Sequence, residues 1–204
     1  MEQHCINCVY KTIPGITKTY PTNEILFLEG DLLEKVYRIE EGYIKMNKFL
    51  DSGDEIIIGI LGPGDFVALI AVLQGKNEYI ASALSLTTTT VKAIEIGAIK
   101  KAFHSNTMFK DNCLNCAITR TNFFQFQITQ NANNDTEEKI LNVLESFYKK
   151  FGDHLQQQKT LTLPFSKTVL SNIIGIRRET LSRHLKILQD QKVLQVIKNK
   201  YIFL

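Results

Sequence analysis

The sequence predicts an α+β fold made of an N-terminal β-roll (a double-stranded β-helix), a long dimerisation helix and a C-terminal winged helix-turn-helix. Short apolar runs separated by turn residues occupy the first half of the chain, which is typical of a closed or double-sheet β architecture. One long helical pattern follows, and two short helices joined at Gly175 then precede a predicted hairpin. The expected segments are an arm at 1–14, the roll at 15–106, the long helix at 107–131 and the winged domain at 132–204.

Composition narrows the class of protein. The chain has 204 residues, of which 44% are hydrophobic and 22% charged, an ordinary globular balance. No stretch approaches the roughly 20 apolar residues that a membrane span needs, so no membrane partner is expected. The first residues lack the basic and apolar regions of a secretory signal, which predicts a cytoplasmic location.

The roll is predicted from a strand-like sequence pattern that extends from about Ile13 to Ala102. The apolar runs are 25–28, 36–39, 43–46, 55–61, 79–84 and 89–94. Turn residues bound them at 30–31, 41–42, 51–54, 62–65 and 75–77.

A helical segment from about Thr107 to Gln130 carries an a/d seam of about two heptads. The seam consists of Leu114, Ala117, Thr121, Phe124 and Ile128. Such a seam indicates a helix that pairs with a second copy of itself. The alternative is a helix that packs on its own domain.

The last forty residues contain the most specific pattern. Ser166 is a good N-cap for a first helix that begins at Lys167, and Gly175 marks the turn to a second helix. That second helix presents Arg178, Glu179, Ser182 and Arg183 on one face. Two arginines, a carboxylate and a hydroxyl on one helix face are typical of base reading in a DNA major groove. The alternative for Glu179 and Arg183 is a plain i,i+4 salt bridge.

Charge is distributed unevenly along the chain. Residues 159–204 hold nine Lys/Arg and two acids, a net +7, whereas the whole chain carries +3. The preceding residues are therefore acidic overall. A basic block beside an acidic body is the electrostatic footprint of nucleic-acid binding, although a solvated charged face would look similar.

The four cysteines form two CxxC pairs, Cys5 with Cys8 in the arm and Cys113 with Cys116 near the start of the long helix. Three interpretations stay open: a thiol–disulfide switch, a four-thiolate site for zinc or an iron–sulfur cluster, and inert cysteines. A thiol near a helix N-terminus is expected to have a lowered pKa and to be reactive.

The order of roll, long helix and winged helix-turn-helix resembles the cyclic-AMP receptor protein/FNR superfamily of bacterial transcription regulators. The resemblance covers roughly residues 15–204. It is strongest in the segment 174–185, Ile-Gly-Ile-Arg-Arg-Glu-Thr-Leu-Ser-Arg-His-Leu, and next strongest at 62–66, Gly-Pro-Gly-Asp-Phe. It implies a homodimer that binds a palindromic operator in double-stranded DNA, with RNA polymerase as a further expected partner.

The resemblance implies roles for named residues. In the family, a Glu and an Arg four residues apart read C·G pairs, which assigns Glu179 and Arg183 here and predicts a half-site core TGA with its inverted TCA. Arg177 stands where relatives often have a Ser or Thr cap and is expected to point to phosphate. The complete expected DNA-contacting set is Ser166, Lys167, Arg177, Arg178, Glu179, Ser182, Arg183 and Lys186.

The family's cyclic-nucleotide pocket does not carry over to this sequence. Leu69 replaces the carboxylate that binds the ribose, and no arginine near Glu78, Tyr79 or Ile80 could neutralise a buried phosphate. No cofactor is therefore firmly predicted, and zinc or an iron–sulfur cluster remain the alternatives. The cysteine pattern resembles FNR-like proteins of Gram-positive lactic acid bacteria, which implies redox-active cysteines in the arm and the dimer helix.

An alternative from another class is a thiol- or metal-binding, oxidoreductase-like β-roll protein without operator binding. A cupin-type enzyme needs clustered histidine ligands, but the four histidines are scattered at 4, 104, 154 and 184. A CxxC oxidoreductase needs a βαβ context, which the arm lacks. We therefore expect a regulator and not an enzyme.

Overall fold

The computed structural model describes residues 12–53, 55–132, 135–152 and 158–204. The expectations for Cys5 and Cys8 lie outside these residues. The chain divides into two compact units, Met1–Phe123 and Phe124–Leu204. No described helix is long and apolar enough to cross a membrane.

The described part of the first unit contains two four-stranded antiparallel sheets. Its strands are β1 Ile16–Tyr20, β2 Ile25–Phe27, β3 Lys35–Glu41, β4 Ile44–Phe49, β5 Glu55–Leu61, β6 Phe66–Val67, β7 Ser82–Ser85 and β8 Thr89–Glu95. Their spatial orders are β1-β8-β3-β6 and β2-β7-β4-β5. The predicted β-roll is thereby confirmed, although the sequence analysis missed β1 and the two-residue β6 and began the run of β7 three residues early.

The inner faces of both sheets form one apolar core. In one sheet Ile39 is the register partner of Val91, and in the other Met46 is the partner of Ala83. All four side chains are buried, as the side-chain alternation of antiparallel strands requires.

Two helices interrupt the stretch that the sequence analysis treated as strand-like, which corrects that expectation. α1 spans Leu69–Leu73, and α2 spans Ile96–Ser105. Ile99 is buried and Phe103 is partly buried against the roll core, so α2 packs through residues four apart. A short apolar run alone does not distinguish strand from helix, and here the helical spacing was overlooked.

One tight turn explains the threonine tract at 87–90. Gly42 has φ +83, and a Cβ there would lie 2.5 Å from the carbonyl oxygen of Thr88. The backbone N–H of Tyr43 donates to the hydroxyls of Thr87 and Thr89 at 3.1 and 3.2 Å. The tract therefore binds the β3–β4 turn closely, and only glycine fits at position 42.

The long helix α3 spans Thr107–Ala132, so it begins where the sequence predicts. The side chain of Asn106 caps it by accepting a hydrogen bond from the N–H of Phe109 at 2.9 Å. Phe109 and Cys113 are buried in the roll core, which fixes the first part of α3 against the roll.

The second unit holds a helical subdomain with a small sheet. Its elements after the end of α3 are α4 Thr136–Phe151, β9 Thr160–Thr162, α5 Lys167–Ile174, α6 Arg178–Asp190, β10 Leu194–Ile197 and β11 Lys200–Phe203. Asp135 caps α4 by accepting from the N–H of Glu138. β11 lies between β10 and β9, which completes the wing. The buried residues of the helices include Ile140, Leu144, Leu170, Leu181 and Leu185.

Candidate nucleic-acid interface

The helix-turn-helix is built from α5, a short turn and α6. Ser166 caps α5 by accepting from the N–H of Val169. Gly175 ends α5 in the left-handed region at φ 75°, and the N–H of Ile176 donates to the carbonyl of Ser171. This C-cap turns the chain sharply enough to start α6 within three residues.

The two helices of the motif pack through an apolar inner side. Leu170 and Ile174 of α5 are buried, as are Leu181, Leu185 and Leu188 of α6. Because these α6 leucines recur at spacings of four and three, they direct the opposite side of α6 to solvent.

The solvent face of α6 carries the residues that the sequence analysis singled out. Arg178, Glu179, Ser182, Arg183 and Lys186 are all exposed. Within the described chain, no ion pair joins Glu179 to Arg183. The structure therefore does not contain the salt bridge that was the alternative explanation of this pair, and both side chains are available to a ligand.

The N-terminus of α6 is arranged unfavourably for a helix on its own. Arg177 is the N-cap and makes no side-chain capping hydrogen bond, as the sequence suggested. Arg177 and Arg178 place two positive charges at the positive end of the helix dipole. An anion such as a DNA phosphate would bind the uncapped N–H groups and compensate both charges.

Residues at the start of α5 extend this basic edge. Ser166 is exposed, and its oxygen accepts the capping hydrogen bond, so its hydroxyl proton can still be donated outward. Lys167 follows at the first helical position and is half-buried. The predicted DNA-contacting residues thus occupy α6, its N-cap and the start of α5.

The sequence analysis missed a contact on the inner flank of α6. The ring Nδ1 of His184 lies 2.7 Å from the carboxylate of Glu137, which belongs to the first turn of α4. The spacing of His184 from Leu181 and Leu188 places it beside the apolar stripe, but nothing local in the sequence identifies Glu137, 47 residues away, as its partner.

Comparison with known proteins decides the family. Residues 17–106 match the model of the cyclic nucleotide-binding domain, and residues 139–204 match that of the Crp-like helix-turn-helix domain. Together they cover more than half of the chain. It belongs to the CRP/FNR family of transcription regulators. The regulator has a DNA-binding helix-turn-helix and is not an enzyme, as the sequence analysis expected.

Individual relatives are distant but match along most of their length. The regulator is 23% identical over 188 residues to the global nitrogen regulator of Nostoc sp., covering 92% of this chain and 84% of the relative. It is 25% identical to the anaerobic regulatory protein of Haemophilus influenzae, covering 91% and 71%. Among solved structures, FixK2 from Bradyrhizobium japonicum superimposes with a TM-score of 0.82 at 18% identity, covering 93% and 92%.

The predicted seam of the regulator lies on an uncovered face of α3. Leu114, Phe124 and Ile128 are 49%, 41% and 70% exposed in the single chain. Ala117 is half-buried, and its carbonyl accepts from the hydroxyl of Thr121 at 3.1 Å. The sequence analysis missed Ile118, which is also exposed and widens this apolar face. Leu114, Ile118 and Ile128 thus leave apolar surface exposed on one side of α3, while Phe109 and Cys113 pack the helix on the roll core from another side.

The cysteines of α3 differ in environment. Cys113 is fully buried, and burial together with the nearby Cys116 raises the pKa of its thiol to about 12. The expectation of a lowered pKa is therefore wrong for Cys113, because it lies in the second turn of the helix and faces the roll core. Cys116 is half-buried. Within the described residues, no three potential metal ligands cluster.

Arg120 is a half-buried charged residue that the sequence analysis did not identify. Its guanidinium packs against Gly59 of β5. A Cβ at position 59 would lie only 2.9 Å from Nη1 of Arg120, so the lack of a side chain at Gly59 makes room for the guanidinium. Burial lowers the pKa of Arg120, and the carboxylate of Asp65 opposes that shift. Asp65 itself accepts from the N–H of Gly62 at 2.9 Å. Arg120 therefore connects α3 to the β5–β6 turn within the first unit.

Apolar and aromatic side chains occupy the roll interior at the positions that the sequence analysis compared with the family's cyclic-nucleotide pocket. Leu69 is buried at the start of α1. The ring of Tyr79 stacks on Phe27 at a centroid distance of 3.6 Å, and its hydroxyl donates to the carbonyl of Lys35 at 2.9 Å. Burial raises the pKa of Tyr79, so the phenol stays neutral.

Proposed function

We propose that this regulator acts as a homodimer that reads a palindromic operator through α6 and receives a redox signal through its cysteines. One observation carries the first part. The N-terminus of α6 has no side-chain cap, and the exposed Arg178, Glu179 and Arg183 make no ion pair or hydrogen bond through their side chains to the residues that the structure describes. Local features that disfavour an isolated helix are expected at functional sites.

The chemistry of these side chains suits base edges in the major groove. A guanidinium can bridge the O6 and N7 atoms of guanine, and a carboxylate accepts a hydrogen bond from N4 of cytosine. Arg183 and Glu179, one turn apart, can thus address neighbouring C·G pairs, while Arg177 and Lys186 contact phosphates. With the resemblance to the family, this supports a half-site core TGA and its inverted TCA, centred about one helical turn apart.

Selection from a random DNA library tests this proposal directly. The regulator should enrich inverted repeats with the TGA core. Fluorescence anisotropy should then show that affinity for the selected site falls steeply with salt, as phosphate neutralisation requires. Enrichment of no palindrome, or affinity that is insensitive to salt, would contradict operator reading.

The homodimer part rests on the exposed face of α3. Leu114, Ile118, Phe124 and Ile128 present apolar surface along one side of a 26-residue helix. A second copy is the occupant that the palindrome requires, because a twofold operator needs two copies of α6.

For the signal, the described structure favours Cys116 over Cys113 as the reactive thiol of α3. A thiol whose pKa is about 12 is almost entirely protonated near pH 7, and the thiolate is the nucleophile. The reaction partner would be Cys5 or Cys8. The relative from Haemophilus influenzae is named for anaerobic regulation, which supports a redox signal. The resemblance of the cysteine pattern to FNR-like proteins of lactic acid bacteria also supports redox-active cysteines in the arm and in α3.

Native labelling with iodoacetamide separates the two thiols. We expect Cys116 to be alkylated at least about tenfold faster than Cys113, because Cys113 is both buried and protonated. In urea the two rates should become similar. Peptide mapping by mass spectrometry measures both, and faster labelling of Cys113 in the folded protein would contradict the assignment.

A thiolate metal site remains the competing form of this signal. Cys113 and Cys116 supply two sulfurs on one helix face, so zinc or an iron–sulfur cluster would need Cys5 and Cys8 as well. The buried, protonated Cys113 thiol fits such a site poorly. Operator affinity of reduced and oxidised protein, with metal content determined on the same anaerobic sample, distinguishes a disulfide, a metal and inert cysteines.

Cyclic nucleotides are not part of the proposed signal. The buried Leu69 and the stacked Phe27 and Tyr79 offer no carboxylate for a ribose and no cation for a buried phosphate. Calorimetry with cyclic AMP and cyclic GMP should detect no binding at micromolar concentration, and a micromolar dissociation constant would refute this part.

A further inference from the structure

The recognition helix α6 is held on its inner side by two kinds of contact. Leu181, Leu185 and Leu188 bury apolar surface, which stabilises the packing but has little directional preference. The hydrogen bond from His184 to Glu137 is directional. Because a carboxylate can only accept, Nδ1 of His184 carries the proton in this contact.

The two partners are placed so that their contact fixes one helix relative to another. Glu137 lies in the first turn of α4, where the helix dipole favours its negative charge. His184 follows Arg183 directly and lies on the flank between the apolar stripe and the outer face. The side chain of His184 is 17% exposed and that of Glu137 is 33% exposed, so water screens the hydrogen bond only in part.

We infer that the Glu137–His184 contact is a positioning contact that sets the rotation of α6 about its axis. This inference rests on the proposed base reading by α6. A rotation of roughly 10° moves a side chain about 6 Å from the helix axis by about 1 Å, which is enough to misalign hydrogen bonds to base edges. Neither Glu137 nor His184 needs to touch DNA for the contact to affect recognition.

The measured quantity is the ratio of affinities for the selected operator and for a random duplex of equal length. Glu137→Ala should lower this ratio about tenfold, because operator reading depends on the alignment of α6 and non-specific phosphate binding does not. Glu137→Gln should retain most of the ratio, since the amide oxygen still accepts from His184. His184→Ala should lower the ratio as much as Glu137→Ala does, and the double variant should lose no more than either.

Glu138→Ala is the matched control. Glu138 is the exposed neighbour in the same helical turn, so its replacement removes the same charge without touching His184. Both alanine variants should tighten binding to the random duplex equally. An unchanged ratio in Glu137→Ala, or an equal loss in Glu138→Ala, would overturn the inference. Thermal melting is measured alongside, and a Glu137→Gln variant that loses the ratio with an unchanged Tm would also contradict the hydrogen-bond explanation.

Arg183→Ala in the same assay separates this inference from the proposed function. If Arg183→Ala keeps the wild-type ratio, the proposed base reading by Arg183 is wrong. If Arg183→Ala lowers the affinity ratio and Glu137→Ala does not, only the inferred role of the Glu137–His184 contact is wrong.

Discussion

Replacing Phe124 with aspartate is expected to convert the regulator into monomers. Phe124 belongs to the predicted seam, and its side chain is exposed in the single chain. In a twofold dimer the substitution would bury two carboxylates close together in an apolar interface. A buried, uncompensated charge costs about 3–5 kcal/mol, so the dimer dissociation constant should rise by at least about 100-fold.

Sedimentation velocity measures this change directly, and operator binding should weaken with it because each monomer can occupy only one half-site. Asn122→Asp is the matched control. Asn122 is exposed on the same helix, two residues away and off the seam, and the substitution adds the same charge with almost the same shape. It should leave the dimer intact. A Phe124→Asp protein that still sediments as a dimer at micromolar concentration would place the interface elsewhere.

Local sequence patterns were sufficient to predict the main elements. The helix-turn-helix follows from the cap at Ser166, the turn at Gly175 and the leucine spacing of α6, all of which act within a few residues. Most strands of the roll follow from short apolar runs between turn residues. The helix α2 was missed because the apolar run at its start also suits a strand, and only the packing of Ile99 on the roll core distinguishes the two.

Contacts between distant parts of the chain could not be predicted. The seam of α3 was visible because its residues repeat along one helix. The environment of the opposite side of α3 could not be predicted, since the burial of Cys113 and the partial burial of Arg120 depend on the roll strands packed against them. Likewise, the partner of His184 comes from α4, and no spacing rule links positions so far apart.

Removing the guanidinium of Arg183 should weaken operator binding by about 1–3 kcal/mol, roughly 5- to 150-fold. Arg183 is exposed, makes no ion pair within the described chain and lies one turn from Glu179 on the outer face of α6. Its proposed role is a bidentate contact to guanine, which no other base reproduces. Besides the loss of affinity, library selection with Arg183→Ala should show relaxed preference at that guanine alone.

Lys186→Ala separates base reading from simple loss of charge. Lys186 is exposed three residues further along the same helix, and its replacement removes the same positive charge. A phosphate contact contributes equally on all sequences, so this variant should bind every duplex more weakly and still select the same sequence. The slope of log affinity against log salt concentration should become shallower by about one. Arg183→Ala should do the reverse, since it gives up discrimination more than general affinity. If both variants select the same operator as the unaltered protein, Arg183 contacts phosphate, and the guanine must be read by Arg178 or by another element.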